Sequence, residues 1–354
     1  MLSQGALDRT TLAAAEASAE QAANLAPFQA KHQLLLAAIK GATGDLTAQE
    51  NHLRAALILA PHNIQVRWRL ANALLRAGKK DESLAEFRRV VTAAPALLPN
   101  TLDMLWQWTE GDVETLVQAT GEAVKNRLQL AQFLLKQTRV DDAVRIIGTV
   151  DRRMAAPEVG GVLQELMAAG KFELAHKLWL EQVGTTATPP ALLWNGSFED
   201  ATPPHLTQFE WQLRSSEYAQ LAIDPYVART GAKSLRLDFL GRDTTRLSNE
   251  IKQMIILRPG RRYRLTCYVR TTRLITPQGP RVAVMAVEAA RVLATTNPIT
   301  AEATDWQPLS LEFTAPANTS VLWVNVQRSP QTDYDDPTQG TIWFDDFTVT
   351  ELPS

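Results

Sequence analysis

Two regimes of hydrophobic periodicity divide the chain. Up to about residue 184, apolar positions recur every three to four residues in a sequence rich in Ala, Leu, Glu, Gln and Arg, the spacing and composition of amphipathic helices. From about residue 192 the period falls to two. Leu235, Leu237 and Phe239 alternate with Ser234, Arg236 and Asp238, one face of a strand against the other. Other short stretches rich in β-branched and aromatic residues predict strands at 192–198, 250–257, 263–270, 281–287, 309–313, 321–326 and 341–349. Pro259-Gly260 and Gly279-Pro280 punctuate them, and this many short strands predict a sandwich. Between the regimes, Gly184-Thr185-Thr186-Ala187-Thr188-Pro189-Pro190 cannot continue a helix. The expectation is an α domain at 1–184, a linker at 185–191 and an all-β domain at 192–354.

The helical part repeats. Leu25-Ala26-Pro27, Leu59-Ala60-Pro61 and Ala93-Ala94-Pro95 place proline at a constant spacing of 34. Within the unit ending at Pro95, Gly78 permits a turn, Leu74 and Phe87 fill the space between two helices, and Ala71 lets them approach; Leu70 and Leu84 complete the contact. Related positions are Leu36, Ala37, Gly44, Leu53 and Ala56, then Leu130, Ala131, Leu134, Ala143 and Ile147, then Leu166, Gly170, Ala175 and Trp179. The pattern is similar to the tetratricopeptide repeat. That resemblance implies a solenoid of about five repeats with a concave groove for a protein partner. Mapped on this chain, the groove residues are Gln65, Trp68, Asn72, Arg76, Lys125, Gln132 and Lys136. Residues 1–27 read as the second helix of a repeat, so a longer protein is expected upstream.

Bulk properties remove several function classes. A net charge of -2 exerts no general pull on nucleic acid or an anionic membrane. The single cysteine, Cys267, excludes an internal disulfide framework and a cysteine-rich zinc site, and its strand setting predicts an inert buried thiol. No run of about 18 apolar residues is present, and no secretory leader is visible. There is no His-Glu-x-x-His, Gly-x-Ser-x-Gly, phosphate-binding loop or dinucleotide fingerprint. No catalytic residue is assigned, and the chain is expected not to be an enzyme.

Four segments of the strand-rich half occur in a telling order: Asn195-Gly196-Ser197-Phe198-Glu199, Gly231-Ala232-Lys233-Ser234-Leu235, Leu257-Arg258-Pro259-Gly260-Arg261-Arg262-Tyr263, and Trp343-Phe344-Asp345-Asp346-Phe347. Together they resemble the galactose-binding-like jelly-roll carbohydrate-binding modules of families four, nine and twenty-two. The resemblance implies a jelly roll, and a structural calcium held by Glu199, the backbone at Lys233, and Asp345 or Asp346. The residues alone also allow Glu199 and Asp346 to pair with nearby cations such as Lys233. It further implies a sugar face of stacking aromatics and polar side chains. Trp211, Tyr218 and Tyr334 are selected for their polar neighbours, and Arg270 and Arg328 as cations that packing does not explain. Arg246 and Arg273 are weighed with them, because several arginines on one face would suit an acidic glycan. Trp194 and Trp343 are assigned to the interior. The acidic segment Thr332-Asp333-Tyr334-Asp335-Asp336-Pro337 is taken as a soluble turn.

The resulting expectation is a multidomain α + β chain, a solenoid followed by a jelly-roll sandwich. It would act as a non-catalytic adaptor between a protein and a polysaccharide, with no nucleic acid and no membrane span. Bacterial exopolysaccharide or envelope assembly, in the periplasm or at the cell surface, is the context the domain pairing suggests. The alternatives are a protein-interaction scaffold that binds no sugar, and a polysaccharide-processing enzyme with a deep cleft and paired carboxylates.

Overall fold

The computed structural model describes residues 9–150, 157–184, 191–287, 291–332 and 334–353. All but Ala191 of the expected linker, and Asp333 of the acidic segment, lie outside the described residues. The chain divides into two compact units, residues 1–151 and 152–354.

In the first unit, α1 (Arg9–Leu25) precedes four antiparallel hairpins. These are α2 (Ala30–Thr43) with α3 (Leu46–Leu59), α4 (Ile64–Arg76) with α5 (Lys80–Ala93), α6 (Leu98–Trp108) with α7 (Val113–Thr120), and α8 (Val124–Lys136) with α9 (Val140–Gly148). The turns show why a glycine recurs. Gly78 adopts φ +75°; its N–H reaches Leu75 O at 3.0 Å and the next N–H reaches Leu74 O at 2.9 Å, closing the carbonyls left open at the end of α4. In the α8–α9 turn Thr138 takes the same left-handed conformation and makes the equivalent bonds. Asp45, Asn63 and Asp112 cap the starts of α3, α4 and α7 with their side chains. Leu70, Ala71, Leu74, Leu84 and Phe87 are all buried, as interlocking hairpins require.

The second unit opens with a further hairpin, α10 (Pro157–Ala168) and α11 (Phe172–Val183). A β-sandwich of two five-stranded antiparallel sheets follows. Its strands are β1 (Gln212–Leu213), β2 (Ala219–Asp224), β3 (Ser234–Leu240), β4 (Leu247–Ile256), β5 (Arg262–Ile275), β6 (Arg281–Ala286), β7 (Arg291–Thr295), β8 (Thr304–Thr314), β9 (Val321–Arg328) and β10 (Gln339–Glu351). The sheet orders are β1-β4-β9-β6-β7 and β2-β3-β10-β5-β8. The chain changes sheet at every connection except β2–β3 and β6–β7, which is jelly-roll winding. Between the sheets lies one continuous core that includes Leu235, Leu237, Ile251, Ile255, Leu265, Val282, Val324, Ile342 and Phe344. Cys267 is buried in it, and burial pushes its thiol pKa well up, as expected of an inert side chain.

Residues 192–198 form turns rather than the expected strand. Their apolar side chains pack inward from the turns, with Leu193 and Phe198 in the core. β1, β2 and β7 were not legible as strands. Each lies at or next to a sheet edge, where one flank is open and the apolar alternation is weak.

Candidate functional site

The opening and closing motifs meet, together with the 229–233 turn. Glu199 Oε1 accepts the Ala232 and Lys233 N–H groups, both at 2.7 Å, and the Lys233 ammonium donates back to Glu199 O at 2.8 Å. Asp345 is buried; its Oδ2 accepts the Arg229 and Thr230 amides at 2.7 and 3.3 Å, and its Oδ1 the Asp346 amide. Burial lifts the Asp345 carboxyl above its ordinary pKa, although these amides oppose the shift. Asp346 is spanned by the Arg229 guanidinium at 2.6 Å and the Thr230 hydroxyl at 2.6 Å. Calcium requires several converging oxygen acceptors. Here the groups converging on the carboxylates are backbone N–H donors, a hydroxyl and the Arg229 guanidinium, while the Lys233 ammonium sits on the Glu199 carbonyl. Among the described residues no group of three or more His, Cys, Asp or Glu is placed to hold a metal. The donor set, as arranged, does not fit a calcium ion. Of the cation pairings that the residues alone allowed, Asp346 has one, with Arg229, whereas the Glu199 carboxylate is held by backbone amides.

The same geometry explains the glycines of these motifs. A side chain on Gly231 (φ +64°) would strike Glu199 Oε1 at 2.4 Å. One on Gly196 would strike Phe347 O at 1.9 Å, because Phe347 N–H bonds to Gly196 O there. The tyrosine of the third motif is structural as well: buried Tyr263 accepts the Arg258 N–H at 3.0 Å and fastens the turn before β5. All four segments therefore close the sandwich.

The five residues selected for sugar contact do not form one surface. Trp211 is a correction: it is only 7% exposed, packs at a tilt against Phe347 and Phe198 with centroids 4.9 and 5.4 Å apart, and donates its indole N–H to Asn195 O. Its polar neighbours misled, because in this extended segment they point the other way. Arg328 is the second correction. Its side chain has no exposed area; it pairs with Asp336 and donates to Gln278 O and Thr245 O, so packing and pairing account for it. Arg270 stands half-buried on the outer face of the β2-β3-β10-β5-β8 sheet, 5.9 Å from the centroid of the Trp343 ring. Trp343 is on that face too and not inside; its neighbours Ile342 and Phe344 take the core, and its indole N–H donates to Asp224. Tyr218 is half-buried just before β2, and Tyr334 is exposed on the loop before β10.

A polar row not anticipated from sequence crosses the outer face of the other sheet. Strand register sets Gln212, Lys252, Asn325, Ala283 and Thr295 side by side on β1, β4, β9, β6 and β7. Their sequence neighbours Leu213, Ile251, Val324, Val326, Val282 and Val284 face the core. The adjacent row is Met254, Trp323, Met285 and Val292, and Gln327 pairs with Arg281 on the other side. Trp323 is half-buried with the Lys252 ammonium 4.6 Å from its ring centroid. Asn325 is 2% exposed. Its amide N–H₂ donates to Ser248 O at 3.3 Å and contacts Met285 Sδ, while its Oδ1 has no hydrogen-bond partner among the described residues. Arg281 Nε is also buried and without a partner there. Unpaired buried polar atoms are costly and rare, and this face gathers two of them, an acceptor and a donor. Within this unit α11 touches β4 beside that sheet.

In the helical unit, a cavity of about 360 Å³ is lined by Leu34, Ala37, Gln49, Leu53, Trp68, Arg69, Asn72 and Arg76, among others. Three of the expected groove residues, Trp68, Asn72 and Arg76, therefore share one cavity. Trp68 is held edge-on against Phe87, 5.4 Å between centroids, and Arg76 donates to Gln49. Gln65 is exposed on α4, and Lys125, Gln132 and Lys136 lie on α8.

No protein-family model matches the chain, and no curated protein matches it. Solved structures similar to 45–46% of it include a family 4 carbohydrate-binding module (19% identity, TM-score 0.33, 99% of that chain) and a family 16 carbohydrate-binding module (19%, 0.30, 99%). Another is a family 61 module in complex with β-1,4-galactotriose (13%, 0.30, 46% of this chain and 99% of that one). At these TM-scores the likenesses decide nothing about this chain.

Proposed function

We propose that the β unit binds a polysaccharide along the outer face of the β1-β4-β9-β6-β7 sheet, and that the helical unit holds a protein, so that the chain is a non-catalytic adaptor. The observation that carries the sugar half is Asn325 Oδ1, a buried acceptor without a hydrogen-bond partner among the described residues, in a row across five strands beside Trp323. A sugar ring presents an apolar face to stack on indole and hydroxyls to satisfy such acceptors. The order of the four closing motifs, which resembles carbohydrate-binding modules, supports the same reading. Catalysis is not part of it. The carboxylate beside this face, Glu250, accepts the Ser248 and Asn249 amides at 2.6 and 2.9 Å, whereas glycoside hydrolysis needs two cooperating carboxylates.

The protein-binding half rests on the Trp68 cavity and on the helical-hairpin repeat, which resembles tetratricopeptide arrays. Joined in one chain, the two halves suit exopolysaccharide or envelope assembly in the periplasm or at the cell surface. No helix among the described residues is long and apolar enough to cross a membrane.

The test is affinity electrophoresis of the full chain against a panel of soluble polysaccharides, with Trp323→Ala and Asn325→Ala alongside. Retardation by one polymer, weakened at least tenfold in both variants while their melting temperatures stay within a few degrees of the parent, is the expected result. A folded parent that no polymer retards would leave a protein-interaction scaffold as the better account.

A further inference from the structure

We infer that the polysaccharide carries carboxylates: the ligand class is a uronic-acid-containing polymer rather than a neutral glycan. This rests on the polysaccharide reading of the same sheet face. Two cations bracket Asn325. Lys252 on β4 is its direct register partner, and Arg281 on β6 precedes its other partner, Ala283, by two residues, so all four side chains share one face. Directly opposed side chains in antiparallel pairs lie roughly 4.5–5.5 Å apart at Cβ, and diagonal ones roughly 7–8 Å, so both cations are within reach of one sugar residue.

Among the described residues neither Lys252 nor Arg281 has a carboxylate partner; the Lys252 ammonium has only Asn249 Oδ1 at 3.4 Å and the Trp323 ring. Other arginines of the sandwich, Arg229, Arg236, Arg262, Arg264 and Arg328, each pair with an Asp or Glu, whereas Arg270 on the opposite sheet has no carboxylate partner among the described residues and so serves as the control. The nearby Glu250 bonds to the amides of its own bulge. The specific feature is Arg281 Nε, which has no hydrogen-bond partner among the described residues, because a guanidinium presents Nε together with a terminal nitrogen as a fork that matches the two oxygens of a carboxylate. Ala283 is the smallest side chain in the row, between Asn325 and Thr295. Lys252 lies over Trp323, so its displacement by a sugar would free the ring for stacking and leave the ammonium to a carboxylate.

The experiment compares polygalacturonate and alginate, the carboxyl-reduced form of each, and neutral β-glucan and xylan, by affinity electrophoresis of the full chain at two salt concentrations. The variants are Arg281→Gln, Lys252→Gln and, on the opposite sheet, Arg270→Gln. The expected result is retardation by a polyuronate, at least tenfold weaker for its carboxyl-reduced form and at least fivefold weaker in Arg281→Gln and Lys252→Gln, with Arg270→Gln unchanged. Equal retardation by carboxyl-reduced or neutral polymers, lost in Trp323→Ala, would overturn the inference and leave the polysaccharide reading standing. Equal weakening by Arg270→Gln would reduce the effect to diffuse charge and overturn it as well. If no polymer retards the folded parent, both fall together.

Discussion

Arg328 places a guanidinium where none of its surface meets water, and Asp336 answers it from the loop before β10. Burial alone would raise the Asp336 carboxyl, but the Gln331 amide and Arg328 outweigh it and hold the pKa below the ordinary value. Removing Arg328 leaves a buried unpaired carboxylate and frees the Thr245 and Gln278 carbonyls. Arg328→Ala should therefore destabilise the second unit by about 3–5 kcal/mol, read by urea denaturation, with little direct effect on glycan affinity in whatever fraction stays folded. His176 supplies a pH signature. Burial beside Trp179 and Phe209 lowers its pKa from 6.5 to about 4, so the unfolded chain takes up the proton first. Stability should be fully present above pH 6.5 and fall as pH drops from 6.5 toward 4, by at most roughly 3 kcal/mol at 1.36 kcal/mol per unit. His176→Gln should flatten that part of the stability–pH curve; an unchanged slope would place its origin in the carboxylates.

Among the elements, the first and last segments of the sandwich are tied by hydrogen bonds and cations. With Arg229 on Asp346 and Lys233 on Glu199 O, neither 5 mM calcium nor a chelator should move the melting temperature of the full chain by more than about 1 °C. A rise of several degrees with calcium would mean that the carboxylates rearrange around the ion. The motifs that carry the family resemblance were legible because each is fixed by a local necessity, such as a glycine where a side chain would hit Phe347 O or Glu199 Oε1. Central strands such as β3 and β9 were legible for the same kind of reason, since both flanks and one face impose the pattern. The sugar face was not. Trp323, Asn325, Lys252 and Arg281 lie on three strands far apart in the chain, and only register puts them on neighbouring rows of one face.

For the molecule as a whole, the change of period near residue 184 marks where helices end, but the compact unit that contains the sandwich begins earlier, near residue 152. Trp179 shows how the α10–α11 hairpin belongs to it. The residue is fully buried, donates its indole N–H to Leu206 O, and meets Trp194 edge-on at 5.2 Å and Phe209 at 5.6 Å. Gln208 likewise donates to Gly160 O at 3.3 Å. Trp179→Ala should cost about 3–5 kcal/mol and raise hydrogen exchange at residues 194–211 and in β4, outside the hairpin itself. Exchange confined to α11 would deny that coupling. What the sequence determined by itself is local: the 34-residue spacing, the glycine turns, the strand periods and the closing motifs are each set by residues a few positions apart, where backbone sterics and side-chain periodicity act. Which polar residues share a face, which arginine is buried with an acid, and which tryptophans line the core were decided only by tertiary structure. Those depend on sheet register and on which flank a neighbouring element covers, and neither is a property of any short stretch of chain.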